Sequence, residues 1–522
     1  MLSGQPSPQR VCGSMVGGPS AVPNSSLGGP RRPRMIPQRL VALCAATALL
    51  LSPGSVWADG QVAQDSRPSL AQALRLFGEW LDAKLAYDRI PGASVALVVD
   101  QELAWSKGFG FSDLARRAPT TPDTIYGICS ISKLFTAIAV MQLRDAGKLH
   151  LDAPVRQYLP YFSLRPTTAR DPEPTIRDLL THSSGVPRES VHSYWDEPNF
   201  TFPSKEEVIA GLEHQRMLYP PERYYQYSNL GLTLAGLIVE RVSGMPYEQY
   251  VRESILEPLR LPSTTTRLPE NERGKALATG YGRMTRDGTR EIMPFYRAGG
   301  ITPAAGFAST ARDLAAFAVW QFRLLDTDGN DVLKASTLRE MQRVQWLDPD
   351  WEAARGLGFG IYRDGNVSLV GHYGSCPGYR TALRLDPKRK VASVVMVNAM
   401  NVNAERIAEL LLEVVRVALV DRDRSVPQVN PADVGIERFT GLFRSAWGEM
   451  AVVPWQDGLA VLDLPSPGPL VDLVRLRHTE GNAFRRIRDD GDDLGEEVIF
   501  EAGPDGHASR LLWHQTHWER FR

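Results

Sequence analysis

The sequence predicts an α/β (α+β) fold. Helices flank an antiparallel sheet, a helical subdomain lies beside it, and a small antiparallel β-barrel follows. Three patterns carry this expectation. The first is an amphipathic helix over Leu70–Tyr87, with Leu70, Ala73, Leu74, Leu76, Phe77, Trp80, Leu81 and Leu85 near helical spacing. It leads into β-rich residues 93–99 and a second run at 103–108, an α+β opening. The second is a series of β-rich runs at 358–362, 367–372, 381–385 and 391–397, closed by a helix at 405–420. The third is a set of short alternating runs at 450–453, 459–462, 470–476, 484–487, 497–500 and 511–513, as in a small barrel or sandwich.

The chain starts with a targeting pattern. Residues 1–30 are rich in Gly, Pro and Ser and are expected to be disordered. Arg31, Arg32, Arg34 and Arg39 precede an apolar run at 40–51, and Pro53-Gly54-Ser55 breaks it before Val56-Trp57-Ala58. A basic start, a short apolar run and small residues before a cut describe a secretory signal, with cleavage expected after Ala58. Met35 offers an alternative start that leaves the signal complete. The run is short for an uncleaved anchor. The expected mature chain is therefore exported, secreted or periplasmic, without stable membrane insertion. Cleavage leaves only Cys129 and Cys376, so no disulfide framework organises the core.

Composition bounds the remainder. The 522 residues are 43% hydrophobic and 23% charged, ordinary values for a globular protein. A formal net charge of −1 argues against a nucleic-acid partner, which calls for a basic face. His514-x-x-His517 is the one tight histidine pair in the tail; with no third ligand it reads as surface, and neither metal nor cofactor is expected. The organisation expected is a signal at 1–58, a tether at 59–68, a main domain at 69–424, a linker at 425–431 and a β domain at 432–522. Oligomeric state leaves no trace in the sequence.

Between the first hairpin and the later strands, residues 109–124 read as a polar loop and 134–143 as a helix. A short helix is expected at 175–180, longer ones at 230–242 and 247–256, a flexible loop at 298–306, and a helix from the N-cap Thr310 to about residue 325.

The chemistry centres on Ser130-Ile131-Ser132-Lys133. Residues three apart share a helix face, so the Ser130 hydroxyl and the Lys133 amine are within reach of each other. A serine becomes a nucleophile when a neighbouring base removes its proton, and an unprotonated lysine can be that base. Alone, a four-residue pattern of common residues is weak. The chain adds Tyr227-x-Asn229, a phenol that can relay a proton and an amide that can hold a lysine or a carbonyl, and Gly371-His372-Tyr373-Gly374 at the expected end of a strand. A competing pattern, Gly374-Ser375-Cys376-Pro377-Gly378, fits a cysteine nucleophile elbow if a helix follows the strand.

Ser130-x-x-Lys133, Tyr227-x-Asn229 and His372-x-Gly374, in this order, resemble the serine β-lactamase and penicillin-binding-protein superfamily. The similarity is to the class C branch with its D-aminopeptidase, DD-peptidase and esterase relatives. Residues 91–96, 179–185, 305–310 and 371–378 resemble family segments as well, and residues 432–522 resemble the lipocalin-like domain appended to many relatives.

The resemblance implies a serine hydrolase that forms an acyl-enzyme on an amide or ester of a small molecule or peptide. Ser130 would be the nucleophile, and Lys133 and Tyr227 the acid and base. Asn229, His372, Gly374 and Ser375 would bind substrate, and the backbone N–H groups of Ser130 and Ser375 would form the oxyanion hole. The alternative is a slow-turnover or non-catalytic receptor for cell-wall peptides, which needs the same residues for acylation. One departure stands out: penicillin-binding proteins and class C β-lactamases carry Lys where this chain has His372. A neutral imidazole attracts a substrate carboxylate less, so inefficient β-lactam hydrolysis is expected. Cys129 and Cys376 flank this site, as packing groups or as a disulfide, alternatives that thiol titration separates.

Overall fold

The main sheet joins the two ends of the α/β region. The computed structural model describes residues 68–196, 198–349, 351, 354–419, 435–488 and 493–522, all within one compact unit. The expected signal, the tether up to residue 67 and the linker at 425–431 lie outside the described residues. Helix α1 (Leu70–Tyr87) starts at Ser69, whose hydroxyl accepts from the Gln72 backbone while the Gln72 side chain accepts from that of Ser69. Strands β1 (Gly92–Val99) and β2 (Glu102–Asp113) form the opening hairpin. Strands β3 (Gly360–Asp364), β4 (Val367–Cys376), β5 (Tyr379–Asp386) and β6 (Val391–Val397) form a later meander. The two meet where β1 pairs with β6, from Ala93 opposite Val397 to Val99 opposite Val391. The full order is Ala118–Pro119, β2, β1, β6, β5, β4, β3, Ala354–Arg355, Trp346–Leu347, antiparallel throughout.

Strand β1 is buried along its whole length. Val95, Leu97 and Val99 pack toward Phe77 and Trp80 of α1 and toward Ile407 and Leu411 of the closing helix (Ala404–Leu419). Ala96 and Val98 face the opposite layer, where Leu134 and Ile138 meet Leu314 and Phe317. A strand covered on both faces reads as a continuous apolar run, which is why its sequence was legible. Three long helices build that second layer: α2 (Ser132–Asp145), α3 (Asn229–Ser243) and α4 (Ala311–Thr327). Thr310 caps α4 by accepting from the Asp313 backbone, as expected. The closing helix is α5 (Ala404–Leu419).

Three sequence expectations are corrected. Residues 109–124 are not wholly loop: β2 runs to Asp113 and Ala118–Pro119 pairs with it. The glycines there mark close backbone approach. A Cβ on Gly108 would lie 1.9 Å from the Thr120 carbonyl oxygen, and one on Gly110 2.3 Å from that of Pro91. Residues 298–306 are not an open loop; they fold into a 3-10 turn (Gly299–Ile301) and a helical turn (Thr302–Ala305), with Pro303 at its start. Strand β4 does not end at His372 but continues to Cys376, so His372-x-Gly374 lies inside it.

The C-terminal strands close into an eight-stranded antiparallel barrel, Gly441–Ser445, Gly448–Trp455, Gly458–Leu464, Val474–Glu480, Ala483–Ile487, Leu494–Ala502, Ala508–Trp513 and Thr516–Arg520. Six correspond to expected runs. The first and last are additional, and their pairing, Phe443 opposite Arg520 and Arg444 opposite Glu519, completes the ring. The interior is filled: Phe439, Phe443, Phe484 and Phe500 form one aromatic cluster, with Phe439 centred 5.0 Å from Phe484 and 5.1 Å from Phe500. One outer face, with Leu442, Val453, Trp455 and Leu462, packs on the α1 and α5 side of the sheet. The Trp80 indole donates to the Ser466 carbonyl at 3.0 Å, and the Gln72 amide to that of Gln456 at 3.0 Å. Among the described residues no helix is long and apolar enough to cross a membrane.

Candidate active site

Ser130 sits in a 3-10 turn (Cys129–Ile131) that runs directly into α2. Cys129 before it has φ of 50°, a left-handed value unusual for a residue with a side chain. Two contacts hold the turn. Ser132 Oγ donates to the Cys129 carbonyl at 2.5 Å and accepts from the Phe307 backbone at 3.0 Å. One turn later Lys133 is fully buried. Its Nζ lies 3.0 Å from Ser130 Oγ, 2.8 Å from Asn229 Oδ1 and 2.7 Å from the Ala304 carbonyl oxygen. The i and i+3 spacing therefore does bring the pair together. The folded turn at Thr302–Ala305 supplies a contact that the sequence did not disclose.

Tyr227 and Asn229 arrive on the start of α3. Ser228 between them is its N-cap, accepting from the Gly231 backbone at 2.7 Å. The Tyr227 hydroxyl donates to Ser130 Oγ at 2.7 Å, and its ring lies 4.8 Å from Lys133 Nζ. Behind that ring is His182, centred 4.5 Å away, with Nδ1 accepting from the Ser228 backbone at 3.1 Å. His182 lies in a family-like segment, but its role as a platform for the phenol was not legible.

Burial sets the protonation states. It holds the Lys133 amine well below its ordinary value; the Glu189 carboxylate opposes this shift and Arg188 adds to it. Burial raises the Tyr227 phenol well above its usual range, so it remains a neutral donor. His372 is pushed down to about 3, by burial first and then by the nearby Lys133 charge. Its Nδ1 lies 2.7 Å from the Tyr373 carbonyl oxygen, which makes Nδ1 the protonated nitrogen and leaves Nε2 as an acceptor. The neutral imidazole expected at this position is thus made neutral by its surroundings.

Two lysine contacts have a chemical consequence. A neutral amine carries two hydrogens and one lone pair. Asn229 Oδ1 and the Ala304 carbonyl can only accept, so each takes one hydrogen. The lone pair is left for the remaining neighbour, Ser130 Oγ. That oxygen can accept from Tyr227 while donating to Lys133, the arrangement a lysine base requires.

Strand β4 closes the other side. Its pairing with β3 ends at Gly371, so residues 372–376 keep β5 as their strand partner and leave one edge to the Ser130 turn. Gly374 is needed for space: a Cβ there would stand 2.2 Å from the Ile128 carbonyl oxygen. A disulfide joins Cys129 to Cys376 with Cα atoms 5.7 Å apart, linking the residue before Ser130 to the residue after Ser375. Pro377-Gly378 turns into β5 rather than into a helix, which removes the cysteine elbow reading.

A serine hydroxyl against a buried lysine, at the junction of an antiparallel sheet and a helical layer, defines the class shared by β-lactamases and penicillin-binding proteins. The β-lactamase family model matches residues 77–416, well over half of the 522-residue chain. The chain belongs to the β-lactamase family. It is 28% identical to "Beta-lactamase-like protein 2" of Dictyostelium discoideum over 66% of this chain and 64% of that protein. "Protein flp" of Staphylococcus aureus strain MRSA252 is 26% identical over 63% of each. The chain thus spans somewhat less than two thirds of these curated relatives. The octameric penicillin-binding protein homologue from Pyrococcus abyssi matches with a TM-score of 0.58 and 26% identity, over 85% of this chain and 99% of that one. A class C β-lactamase from Rhodobacter sphaeroides shares the fold, with a TM-score of 0.55, 21% identity, and coverage of 66% and 100%.

Proposed function

We propose that this protein is an exported serine hydrolase that cleaves an amide or ester through an acyl-enzyme on Ser130. The observation that carries the reading is the Lys133 amine, buried, 3.0 Å from Ser130 Oγ, with its other two contacts on obligate acceptors. In the proposed cycle Ser130 Oγ attacks the substrate carbonyl as its proton passes to Lys133. Backbone N–H groups of Ser130 and Ser375 hold the oxyanion, a contribution worth about 10²–10³ in rate per donor. The proton then reaches the leaving group at the Tyr227 hydroxyl. Water hydrolyses the acyl bond by the reverse route and returns a proton to Ser130.

The neutral His372 favours substrates without a carboxylate beside the scissile bond, such as carboxylic esters and D-amino-acid amides, over β-lactams. Export rests on the signal pattern and is supported by the Cys129–Cys376 disulfide, a bond that persists in oxidising compartments.

The test uses p-nitrophenyl esters, D-alanyl amides and a chromogenic cephalosporin on the mature protein, with mass spectrometry of the acid-quenched reaction. Expected are an acyl adduct on Ser130, turnover of the first two substrate types, and loss of both adduct and turnover in Ser130→Ala. Full activity in that variant overturns the reading. An adduct that forms and persists replaces the hydrolase with the slow-turnover receptor.

A further inference from the structure

Beside the start of α3 lies a charged pair that the reaction as described does not use. Arg188 and Glu189 follow the Gly185-Val186-Pro187 turn and are docked onto that helix. The Arg188 carbonyl accepts from the backbones of Asn229 at 2.8 Å and Leu230 at 3.2 Å, and the Glu189 carbonyl accepts from the Gln215 amide at 2.9 Å. The Glu189 side chain is only 20% exposed. Its Oε1 accepts from Asn229 Nδ2 at 2.7 Å and lies 3.3 Å from Arg188 Nε, and its Oε2 accepts from the Tyr194 hydroxyl.

We propose that Glu189 is a positioning residue of this site: it fixes which way the Asn229 amide faces, and thereby aims the Lys133 lone pair at Ser130. The proposal rests on the reading of Ser130 as nucleophile and Lys133 as base.

The reasoning is a proton count. A carboxylate has no hydrogen to give, so only the NH₂ end of Asn229 can face Glu189. The carbonyl end must then face Lys133, where it takes one amine hydrogen while the Ala304 carbonyl takes the other. Turn the amide over and its NH₂ points at Lys133. A neutral lysine meeting that donor offers its lone pair to Asn229, and the base is directed away from Ser130. An asparagine alone has nearly equal claims to both orientations, since its two ends have the same shape. The carboxylate removes that choice, and the ring of contacts from Arg188 and Tyr194 removes the freedom of the carboxylate itself.

Charge adds a second effect at the same place. Glu189 faces Lys133 along with Arg188, His182, His372 and the Tyr227 ring. Its negative charge favours the ammonium form and so opposes the effect of burial on the amine. Removing the charge while keeping the acceptor lets Lys133 be neutral at lower pH.

The experiment compares Glu189→Ala, Glu189→Gln, Asn229→Ala and the Glu189→Ala/Asn229→Ala double variant in ester hydrolysis across pH. Glu189→Ala is expected to lower kcat about tenfold or more with KM nearly unchanged, the scale on which misaimed groups slow an oriented reaction. Glu189→Gln keeps kcat within a few-fold and moves the acidic limb of the kcat/KM profile to lower pH. Asn229→Ala carries most of the loss already, so the double variant is no slower than it, the non-additivity expected of groups acting in series. Wild-type kcat in Glu189→Ala, or losses that multiply in the double variant, overturns the proposal. Should the alanine variant not fold, the acidic limb of Glu189→Gln decides, and an unmoved limb is the overturning result. Ser130→Ala runs alongside. Its retained activity sinks the nucleophile reading itself, whereas an inactive Ser130→Ala beside a fully active Glu189→Ala sinks only the role of Glu189.

Discussion

On one side of the Ser130 hydroxyl, Lys133, Tyr227 and Asn229 are held by noncovalent contacts, hydrogen bonds among them and to the turn at Thr302–Ala305 and the packing of the Tyr227 ring on His182. On the other, the turn before Ser130 and the strand carrying Ser375 are held by a covalent bond between Cys129 and Cys376 and by the β4–β5 ladder. The difference follows from what each half has to do. In the proposed cycle a proton moves on the first side, so its members need lone pairs and hydrogens directed at each other in a dry environment, where each unmade bond is costly. Nothing moves on the second side. The two backbone donors of that proposed cycle only have to stay a fixed distance apart, which a disulfide and a strand ladder provide.

The comparison predicts that the two halves break differently. The largest loss is expected in the proton-handling half. Lys133→Ala removes the proposed base and leaves Asn229 Oδ1 and the Ala304 carbonyl without their donor, and kcat should fall by about 10³-fold or more. The loss should be the same with and without reductant. Steady-state ester hydrolysis, with circular dichroism to verify folding, measures it. Retention of a tenth of wild-type kcat would mean that another group takes the Ser130 proton.

The covalent half should fail more gently and in a redox-dependent way. Cys129→Ser/Cys376→Ser, or reduction of the wild type, frees the strand to drift from Ser130. The expected fall in kcat is about 10- to 100-fold, short of losing an oxyanion donor outright, because the β5 ladder still guides residues 372–376. Stability should also drop by about 2–4 kcal/mol, since the bond closes a loop between residues 247 apart in sequence. Thermal unfolding and kinetics, each with and without reductant, test both. If kcat survives reduction while stability falls, the strand alone holds the donor and the disulfide serves the fold.

What the sequence disclosed divides along similar lines. Ser130 with Lys133, and Tyr227 with Asn229, are local spacings on helix starts, and local spacing is readable. The strand runs were readable too, because β1 and β6 are apolar except for Ser94 and Ser393. The order of strands was not, since β1 pairs with a strand nearly three hundred residues away and nothing local specifies that register. Ala304 acts through a carbonyl that every residue possesses. Glu189 belongs to none of the motifs, and only the fold sets it against Asn229. The barrel strand Thr516–Arg520 escaped notice because its Thr-His-Trp-Glu-Arg sequence alternates little in polarity. Cys129 and Cys376 were seen to flank the site, but only the register of β4 turns flanking into bonding.

The smallest effect on rate, and one that separates site from stability, concerns His372. Its imidazole is held down to about 3 in the folded protein, against an ordinary value of 6.5 in the unfolded chain. Between those limits the unfolded chain binds a proton there and the folded chain does not, so acid favours unfolding. The contribution is absent above about pH 7 and grows as pH falls toward 3. Replacing His372 with Gln removes it. The melting temperature of His372→Gln should therefore fall less steeply than wild type between pH 7 and 4, with a residual slope from His182, also buried and held low. Because the imidazole is already neutral at working pH, the variant should hydrolyse uncharged esters within a few-fold of wild type and lose no limb near pH 6.5 in its rate profile. A wild-type limb near 6.5 that vanishes in His372→Gln would show an imidazole that charges in the working range, and would restore the cation beside the substrate that the buried geometry denies.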